Sequence, residues 1–322
     1  MQKIRAVRIR LPGGTEVLEL VERELREPGP GEILVRVRGA GLNRADVVQR
    51  LGRYPAPPGA PADIPGLEYA GEVERVGEGV ERWRPGDRVM GVVGGGAMAS
   101  HLLVHEREAI PVPEGLSFEE AAAIPEAFVT AWDALRQAEL RMGERVLIHA
   151  VASGVGTAAL QLVRAAGATP IGTSRSREKI DRCGRLGLAD AVVVTDGRFA
   201  DAVGRVDVIL DTVGAAYVAE NAKALALRGR WVLIGLLGGA TAEVPLGVLL
   251  SKRARLIGTV LRARPLEEKA AIAQAFAHEV VPLFAAGKLR AVVDDVLPLD
   301  RVAEAHERME RNELVGKLVL VP

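Results

Sequence analysis

The stretch of the sequence with the clearest capacity for chemistry is the small-residue turn Ser153-Gly154-Val155-Gly156. The apolar segment Val146-Leu147-Ile148 precedes this turn, and a helix-favouring run follows it. Such a turn presents backbone N–H groups at a helix N-terminus, where a dinucleotide pyrophosphate can approach closely because side chains are small or absent. Gly154, Gly156 and Ala159 also match G-x-G-x-x-A, a pattern that by itself is common at structural turns. The strand before the turn and the helix after it favour a dinucleotide site.

The end of the next predicted strand, Thr169 to Thr173, indicates which dinucleotide is bound. An NAD enzyme places an acidic residue there to accept hydrogen bonds from the ribose hydroxyls. Here the strand is followed by hydroxyl and cationic side chains, among them Ser174, Arg175 and Lys179. Such groups suit the 2′-phosphate of NADPH, so NADPH is the predicted cofactor. The alternative is that these cations are ordinary solvated charges at the start of a helix.

Composition excludes several other classes of function. Lysine plus arginine and aspartate plus glutamate both number 42, so the net charge of zero argues against a nucleic-acid partner. No apolar run is long enough to span a bilayer, which predicts a cytoplasmic protein without a membrane partner. Cys183 is the only cysteine, so no cysteine cluster exists for a structural zinc. His149 ends a buried strand, where a structural histidine is favoured over a proton donor.

The elements that must position the turn fall into two patterns. From Ile4 to about Val112 the chain reads as short strands separated by Gly- and Pro-containing turns, typical of a compact β domain. Between Arg145 and Arg262, six apolar segments alternate with helical stretches, which predicts a doubly wound parallel sheet. A helix over Leu266 to Ala286 should follow. The strand at 317–321 suits the first domain better, so the chain is expected to return there.

The sequence resembles the medium-chain dehydrogenase/reductase superfamily, and within it the quinone oxidoreductase group related to zeta-crystallin. The likeness extends over nearly the whole chain, and the order and spacing of its segments make it specific. The segments are Gly41 to Asp46, Tyr54 to Gly59, Pro65 to Gly71, Ala121 to Leu135, the Ser153 turn, Asp211 to Gly214 and Ile257 to Arg264.

This resemblance implies an α/β fold in which a Rossmann domain interrupts a GroES-like catalytic domain, with the active site in the cleft between them. The expected boundaries are 1–123 and 264–322 for the catalytic domain and 124–263 for the NADPH-binding domain. The zinc alcohol dehydrogenases of the superfamily carry a cysteine near the position of Asn43 and a histidine at that of Leu67. Both ligands are absent here, which predicts a site without metal.

The resemblance also assigns roles to individual residues. Asn43 is expected to orient substrate or nicotinamide, and Tyr54 to cover the nicotinamide or donate its O–H, unless Tyr54 only anchors its proline-rich loop. Thr130 is expected near the nicotinamide ribose, with capping of its own helix as the alternative. Gly235 follows a strand at the cofactor-binding end of the sheet. In the family turn A-x-x-G-G-V-G, Ser153 replaces the first of the paired glycines, which would strain the loop only if its φ were positive.

The function predicted on this basis is NADPH-dependent reduction of a quinone or similar conjugated carbonyl compound. An NADPH-dependent enoyl reductase acting on a thioester or ketone is the nearest alternative. A non-catalytic NADPH-binding protein of crystallin type is an alternative from another class. The family further implies a homodimer or homotetramer, with the segment Leu256 to Val260 as the candidate interface.

Overall fold

The computed structural model describes residues 1–322, which form two compact units. Unit 1 comprises Met1–Val129 and Leu261–Pro322, and unit 2 comprises Thr130–Val260. The functional boundaries given above, after 123 and before 264, stay a prediction. None of the helices combines the length and the apolarity that crossing a membrane requires.

Unit 1 is built on a seven-stranded sheet and a separate two-stranded ribbon formed by β1 (Gln2–Ile9) and β2 (Leu18–Leu25). All strand pairs of unit 1 are antiparallel except that of β14 (Val293–Pro298) with β15 (Lys317–Val321). The last strand pairs with β3 through Val319 opposite Gly41, which confirms that the chain returns to its first domain. The strands are β1 (Gln2–Ile9), β2 (Leu18–Leu25), β3 (Glu32–Gly41), β4 (Glu68–Val76), β5 (Arg88–Val92), β6 (His101–His105), β7 (Ile110–Pro111), β14 (Val293–Pro298) and β15 (Lys317–Val321).

Unit 1 contains five α-helices: α1 (Arg44–Arg50), α2 (Phe118–Ala122), α9 (Leu266–Glu279), α10 (Val281–Ala285) and α11 (Val302–Glu310). The single helix predicted over Leu266 to Ala286 is wrong, because the chain forms α9 and α10 with a break at Val280. Pro282 explains the break, since it has no N–H to continue the hydrogen-bond ladder. A capping box begins α2: Ser117 Oγ accepts from Glu120 N at 3.2 Å, and Ser117 N donates to the Glu120 carboxylate at 2.9 Å.

A turn of π-helix, Pro125–Val129, closes the first segment of unit 1. Pro125, Ala127, Phe128 and Val129 are buried, and the ring of Phe128 meets that of Phe284 edge-on at 4.9 Å. The wider π spacing is rare and is found disproportionately at functional sites. Glu126 is the only residue of this turn with an ionisable side chain.

Unit 2 contains a six-stranded, all-parallel sheet in the order β10-β9-β8-β11-β12-β13. Apolar side chains of the inner strands, such as Leu147, Ile171 and Ile209, are almost fully buried in its core, as parallel strands covered on both faces require. The strands are β8 (Arg145–Ile148), β9 (Thr169–Ser174), β10 (Asp190–Val193), β11 (Val206–Asp211), β12 (Leu225–Leu233) and β13 (Arg255–Gly258). The helices are α3 (Thr130–Gln137), α4 (Gly154–Ala165), α5 (Arg177–Gly184), α6 (Ala200–Val203), α7 (Val218–Ala224) and α8 (Leu246–Lys252).

A β-rich unit together with a doubly wound parallel sheet confirms the predicted α/β class. The sheet order places β8 and β9 side by side, so the turn after β8 and the residues after β9 lie at the same edge.

Candidate functional site

The turn between β8 and α4 has the geometry of a phosphate-binding site. Ser153 is the N-cap of α4, with φ −70° and ψ 168°, so the serine that departs from the family pattern is unstrained. Its Oγ accepts a hydrogen bond from Gly156 N at 3.1 Å. The hydroxyl therefore caps the helix, while the dipole of α4 still favours an anion at this end.

Gly156 is required by the close packing of backbone inside this turn. A Cβ at this position would lie 2.5 Å from the carbonyl oxygen of Ala150 and 2.6 Å from that of Val151. The positive φ of the turn falls on Ala150, at 48°, a conformation that costs an L-residue energy. The sequence indicates the turn, but the location of its strain appears only in the structure.

Two buried hydroxyl oxygens in unit 2 have no hydrogen-bond partner in the protein: Thr130 Oγ1 and Thr212 Oγ1. Buried polar groups are normally satisfied, so these two unpartnered oxygens are candidate contacts for a bound group. Thr130 does not use its hydroxyl to cap its own helix, which leaves that hydroxyl available to a ligand. Gly235 lies against Thr212, whose carbonyl oxygen would be 2.8 Å from a Cβ at Gly235. These features fit a dinucleotide along the carboxyl ends of the strands. Thr212 was not among the site residues predicted from the sequence.

The predicted 2′-phosphate residues begin where β9 ends. Ser174 Oγ accepts from Ser176 N at 3.2 Å, and Ser176 Oγ accepts from Lys179 N at 3.3 Å, so both hydroxyls shape the start of α5. Arg175 is exposed. Burial raises the pKa of Tyr217, and the positive charge of Arg175 opposes this shift.

His149 has a structural environment. Its Nδ1 lies 2.9 Å from Thr173 Oγ1 and its Nε2 lies 2.7 Å from Asn221 Oδ1, whose amide donates to Asp211 at 2.9 Å. Burial lowers the pKa of His149, so the ring is neutral at physiological pH. Both ring nitrogens are used within the protein.

Unit 1 contains a buried group of charged and polar side chains, which we call the Asn43 cluster: Asn43, Asp46, Glu68 and Lys317. The Lys317 ammonium lies 2.5 Å from Glu68 Oε1 and donates to Asn43 Oδ1 at 2.6 Å. Asn43 Nδ2 donates to the same Glu68 oxygen at 2.9 Å and to Gly41 O at 3.2 Å. Each polar atom of the Asn43 amide therefore has a protein partner.

Asp46 ties this cluster to the chain. Its Oδ2 accepts from Asn43 N at 2.8 Å, and its Oδ1 accepts from Gly66 N at 2.9 Å. Burial nevertheless raises the pKa of Asp46 to about 6, against the lowering effect of these two hydrogen bonds.

Tyr54 is held by Arg262. The Arg262 guanidinium stacks over the Tyr54 ring at 4.7 Å and donates to the Tyr54 carbonyl oxygen at 3.0 Å. It also donates to Gly94 O at 2.8 Å and to Gln49 Oε1 at 2.6 Å. Burial raises the pKa of Tyr54, whose hydroxyl has no hydrogen-bond partner in the protein. The structure thus supports an anchoring role for the backbone and ring of Tyr54 and leaves its hydroxyl available.

Sequence reasoning missed Glu68, Lys317 and Arg262 as members of this region. A detectable signal was present, because each is a charged residue inside or beside an apolar segment that folds into the interior. Lys, Glu and Arg are almost never fully buried unless paired.

With this geometry established, comparison with known proteins identifies the class. The alcohol dehydrogenase GroES-like domain matches residues 29–114, and the zinc-binding dehydrogenase family matches residues 186–320. The chain belongs to the medium-chain dehydrogenase/reductase superfamily and is an oxidoreductase of quinone oxidoreductase-like type. This superfamily uses NAD(P)H.

Three similar proteins illustrate the range of this class. A quinone oxidoreductase from Pseudomonas aeruginosa is 36% identical over 96% of this chain and 97% of its own length. The solved structure of an NAD-dependent alcohol dehydrogenase is 32% identical, with a TM-score of 0.88 over 99% of both chains. A phthioceranic/hydroxyphthioceranic acid synthase from Mycobacterium tuberculosis is 34% identical over 98% of this chain, which corresponds to 15% of that protein.

Although one matching family is named for zinc, no group of three or more His, Cys, Asp or Glu side chains in residues 1–322 is arranged to hold a metal ion. Leu67, at the position of the family's histidine ligand, is 1% exposed.

Proposed function

We propose that this chain is an NADPH-dependent oxidoreductase that reduces quinones or similar conjugated carbonyl compounds without a metal ion. The observation that carries the proposal is the turn before α4, in which the absence of a side chain at Gly156 lets the backbone pack closely at the helix N-terminus, while Arg175 directly follows the adjacent strand β9. The likeness to a quinone oxidoreductase over the full length supports the choice of acceptor.

The residues of unit 2 would hold the cofactor. The backbone N–H groups of the turn from Ser153 through Gly154 and Val155 to Gly156 face the pyrophosphate, and Arg175 and Lys179 neutralise the 2′-phosphate beside Ser174. The unpartnered hydroxyl of Thr130 and the backbone at Gly235, which packs against Thr212, serve the nicotinamide half. When bound, NADPH supplies a hydride.

The residues of unit 1 support a reaction without metal. The Lys317 ammonium is bound to Asn43 Oδ1 at 2.6 Å, so a positive charge already adjoins the position at which relatives carry a cysteine ligand. Asn43 then acts by fixing the wall of the acceptor site, and Tyr54 by covering the acceptor from its loop.

The test is NADPH oxidation with 1,4-benzoquinone, 1,2-naphthoquinone and a crotonyl thioester, measured with and without a chelator, beside titration of NADPH and NADH. Fast quinone reduction that survives chelation and tighter binding of NADPH are expected. Tighter binding of NADH would overturn the cofactor assignment. A stable NADPH complex with no turnover would favour the crystallin-like alternative.

An enoyl reductase is the second candidate, favoured by the likeness of almost the whole chain to a segment of an acid synthase. Rapid reduction of the crotonyl thioester, together with no reduction of either quinone, would favour the enoyl reductase over the quinone oxidoreductase.

We also propose that two copies associate through β13. This strand is one of the two edge strands of its sheet; Leu256 within it is 42% exposed, and Val260 just after it is 51% exposed. An unpaired apolar edge is a template for a second strand. Light scattering should give at least twice the 34.2 kDa chain mass, and Leu256→Glu should lower it; a monomer would contradict the proposal.

A further inference from the structure

Glu126 carries a carboxyl group that the mechanism above leaves unused. It lies on the π-helical turn 125–129, where its backbone N–H donates to Glu68 Oε2 at 2.8 Å. The residue is half-buried, yet its carboxylate oxygens have no hydrogen-bond or ion-pair partner in the structure. The Glu126 carboxyl therefore differs from those of Glu68 and Asp46, which are held by an ion pair or by hydrogen bonds.

The nearby cations are already engaged. Lys317 is bound by Glu68, Asn43 and the Leu42 carbonyl oxygen. Arg262 is bound by two carbonyl oxygens and Gln49. Neither cation is close enough to pair with Glu126.

The other elements packed against the turn also leave it unpaired. Arg88 is the only titratable residue of β5, and it donates to Leu116 O at 2.6 Å. From α9, Lys269 is paired with Glu108 at 2.6 Å. The acidic neighbours Glu68 and Asp46 add negative charge.

These surroundings favour the neutral acid. Burial, followed by repulsion from Glu68, raises the pKa of Glu126 to about 8, while Lys317 and Arg262 oppose this effect. The group therefore holds its proton at neutral pH, as a general acid must.

We propose that Glu126 is the catalytic acid that protonates the acceptor after hydride transfer. The O–H bond of the carboxyl breaks, a new bond to hydrogen forms on the anionic oxygen or carbon of the reduced acceptor, and the resulting carboxylate regains its proton from water. The proposal rests on the proposed reductase function and adds the identity of the proton donor.

Other nearby groups are less suited to this step. Both oxygens of Asp46 accept backbone N–H bonds, and Glu68 is paired with Lys317. Tyr54 is a weaker acid, because burial and the Glu126 carboxylate both raise its pKa.

The test compares Glu126→Gln with Tyr54→Phe and with Glu114→Gln, which replaces an exposed glutamate of the same unit. We expect Glu126→Gln to lower kcat for the best acceptor about 100-fold, at the lower end of the effect of general acids. The wild-type kcat should fall as pH rises through about 8, and the variant should lack this limb. NADPH affinity should be unchanged.

A second readout needs neither cofactor nor acceptor. The infrared carbonyl band of a protonated carboxylic acid should be present in the wild type at pH 7, disappear above pH 9 and be absent from Glu126→Gln. Wild-type kcat and pH profile in Glu126→Gln would overturn the proposal, as would absence of this band. Failure of the wild type to reduce any acceptor would instead contradict the proposed function, and the infrared result would still decide whether Glu126 holds a proton.

Discussion

The glycine turn of unit 2 and the Asn43 cluster of unit 1 are candidate functional regions of opposite construction. The turn is formed by the backbone of residues within a few positions of one another. Its essential property is that Gly156 has no side chain. The cluster is made of charged side chains from positions as distant as Asn43 and Lys317, held at 2.6 Å. The first can be found by reading a short window of sequence, whereas the second exists only after the sheet of unit 1 has formed.

The two regions also differ in the kind of mutation that damages them. A backbone site is damaged by adding atoms, because there is no space for them. A buried charge cluster is damaged by removing one, because its partner is left without compensation. The variants below separate these two modes.

Lys317→Met should have the largest effect. It leaves the Glu68 carboxylate, which is 0% exposed, without its cation, so the free energy of unfolding should fall by about 3–5 kcal/mol in urea at pH 7. Adding Glu68→Gln should restore much of this loss because the buried charge is then gone. An unchanged unfolding midpoint in the single variant would show that the cluster is not a stabilising pair.

Gly156→Ala should come next. The added Cβ meets two carbonyl oxygens at 2.5 and 2.6 Å, so stability should fall by about 1–3 kcal/mol and NADPH binding should be lost. Gly184→Ala is the matched control, because a Cβ there has no atom within 4 Å. Isothermal titration and thermal unfolding measure the two effects; wild-type NADPH affinity in Gly156→Ala would remove the turn from the cofactor site.

Arg175→Ala tests a side-chain contribution to the proposed cofactor site. We expect NADPH affinity to fall about tenfold, or ~1.4 kcal/mol, with NADH affinity unchanged, because only the former carries a 2′-phosphate. Arg177→Ala removes the same charge two residues away and should change little. Equal losses for both variants would indicate a general field effect rather than a contact.

Ala150→Gly should have the smallest effect and the opposite sign. Its φ of 48° is strained for alanine, so glycine should stabilise the protein by up to about 1 kcal/mol despite its greater freedom when unfolded. Ala158→Gly, within α4, should instead destabilise it. Both are measured by thermal unfolding, and a loss of stability in Ala150→Gly would mean that the turn is unstrained.

Much of the architecture was predictable because the signals are local. The six parallel strands, the return of the last strand, the capping box at Ser117 and the turn at Ser153 each follow from periodicity or residue type in a short segment. The prediction of one continuous helix over Leu266 to Ala286 was wrong because it did not take into account that Pro282 interrupts helical hydrogen bonding. Residues such as Asn43 and Tyr54 were identified by family position, and their catalytic roles stay predictions.

The sequence by itself determined the class of protein, the place of the glycine turn before α4 and the cations that follow the next strand, since these depend on neighbours along the chain. Only the tertiary structure decided that Lys317 neutralises Glu68, that Arg262 holds the Tyr54 loop and that Glu126 lacks a partner. The reason is that electrostatic environment depends on distance in space and on burial, and residues such as 68, 126 and 317 meet only when the folded sheet brings their strands and turns together.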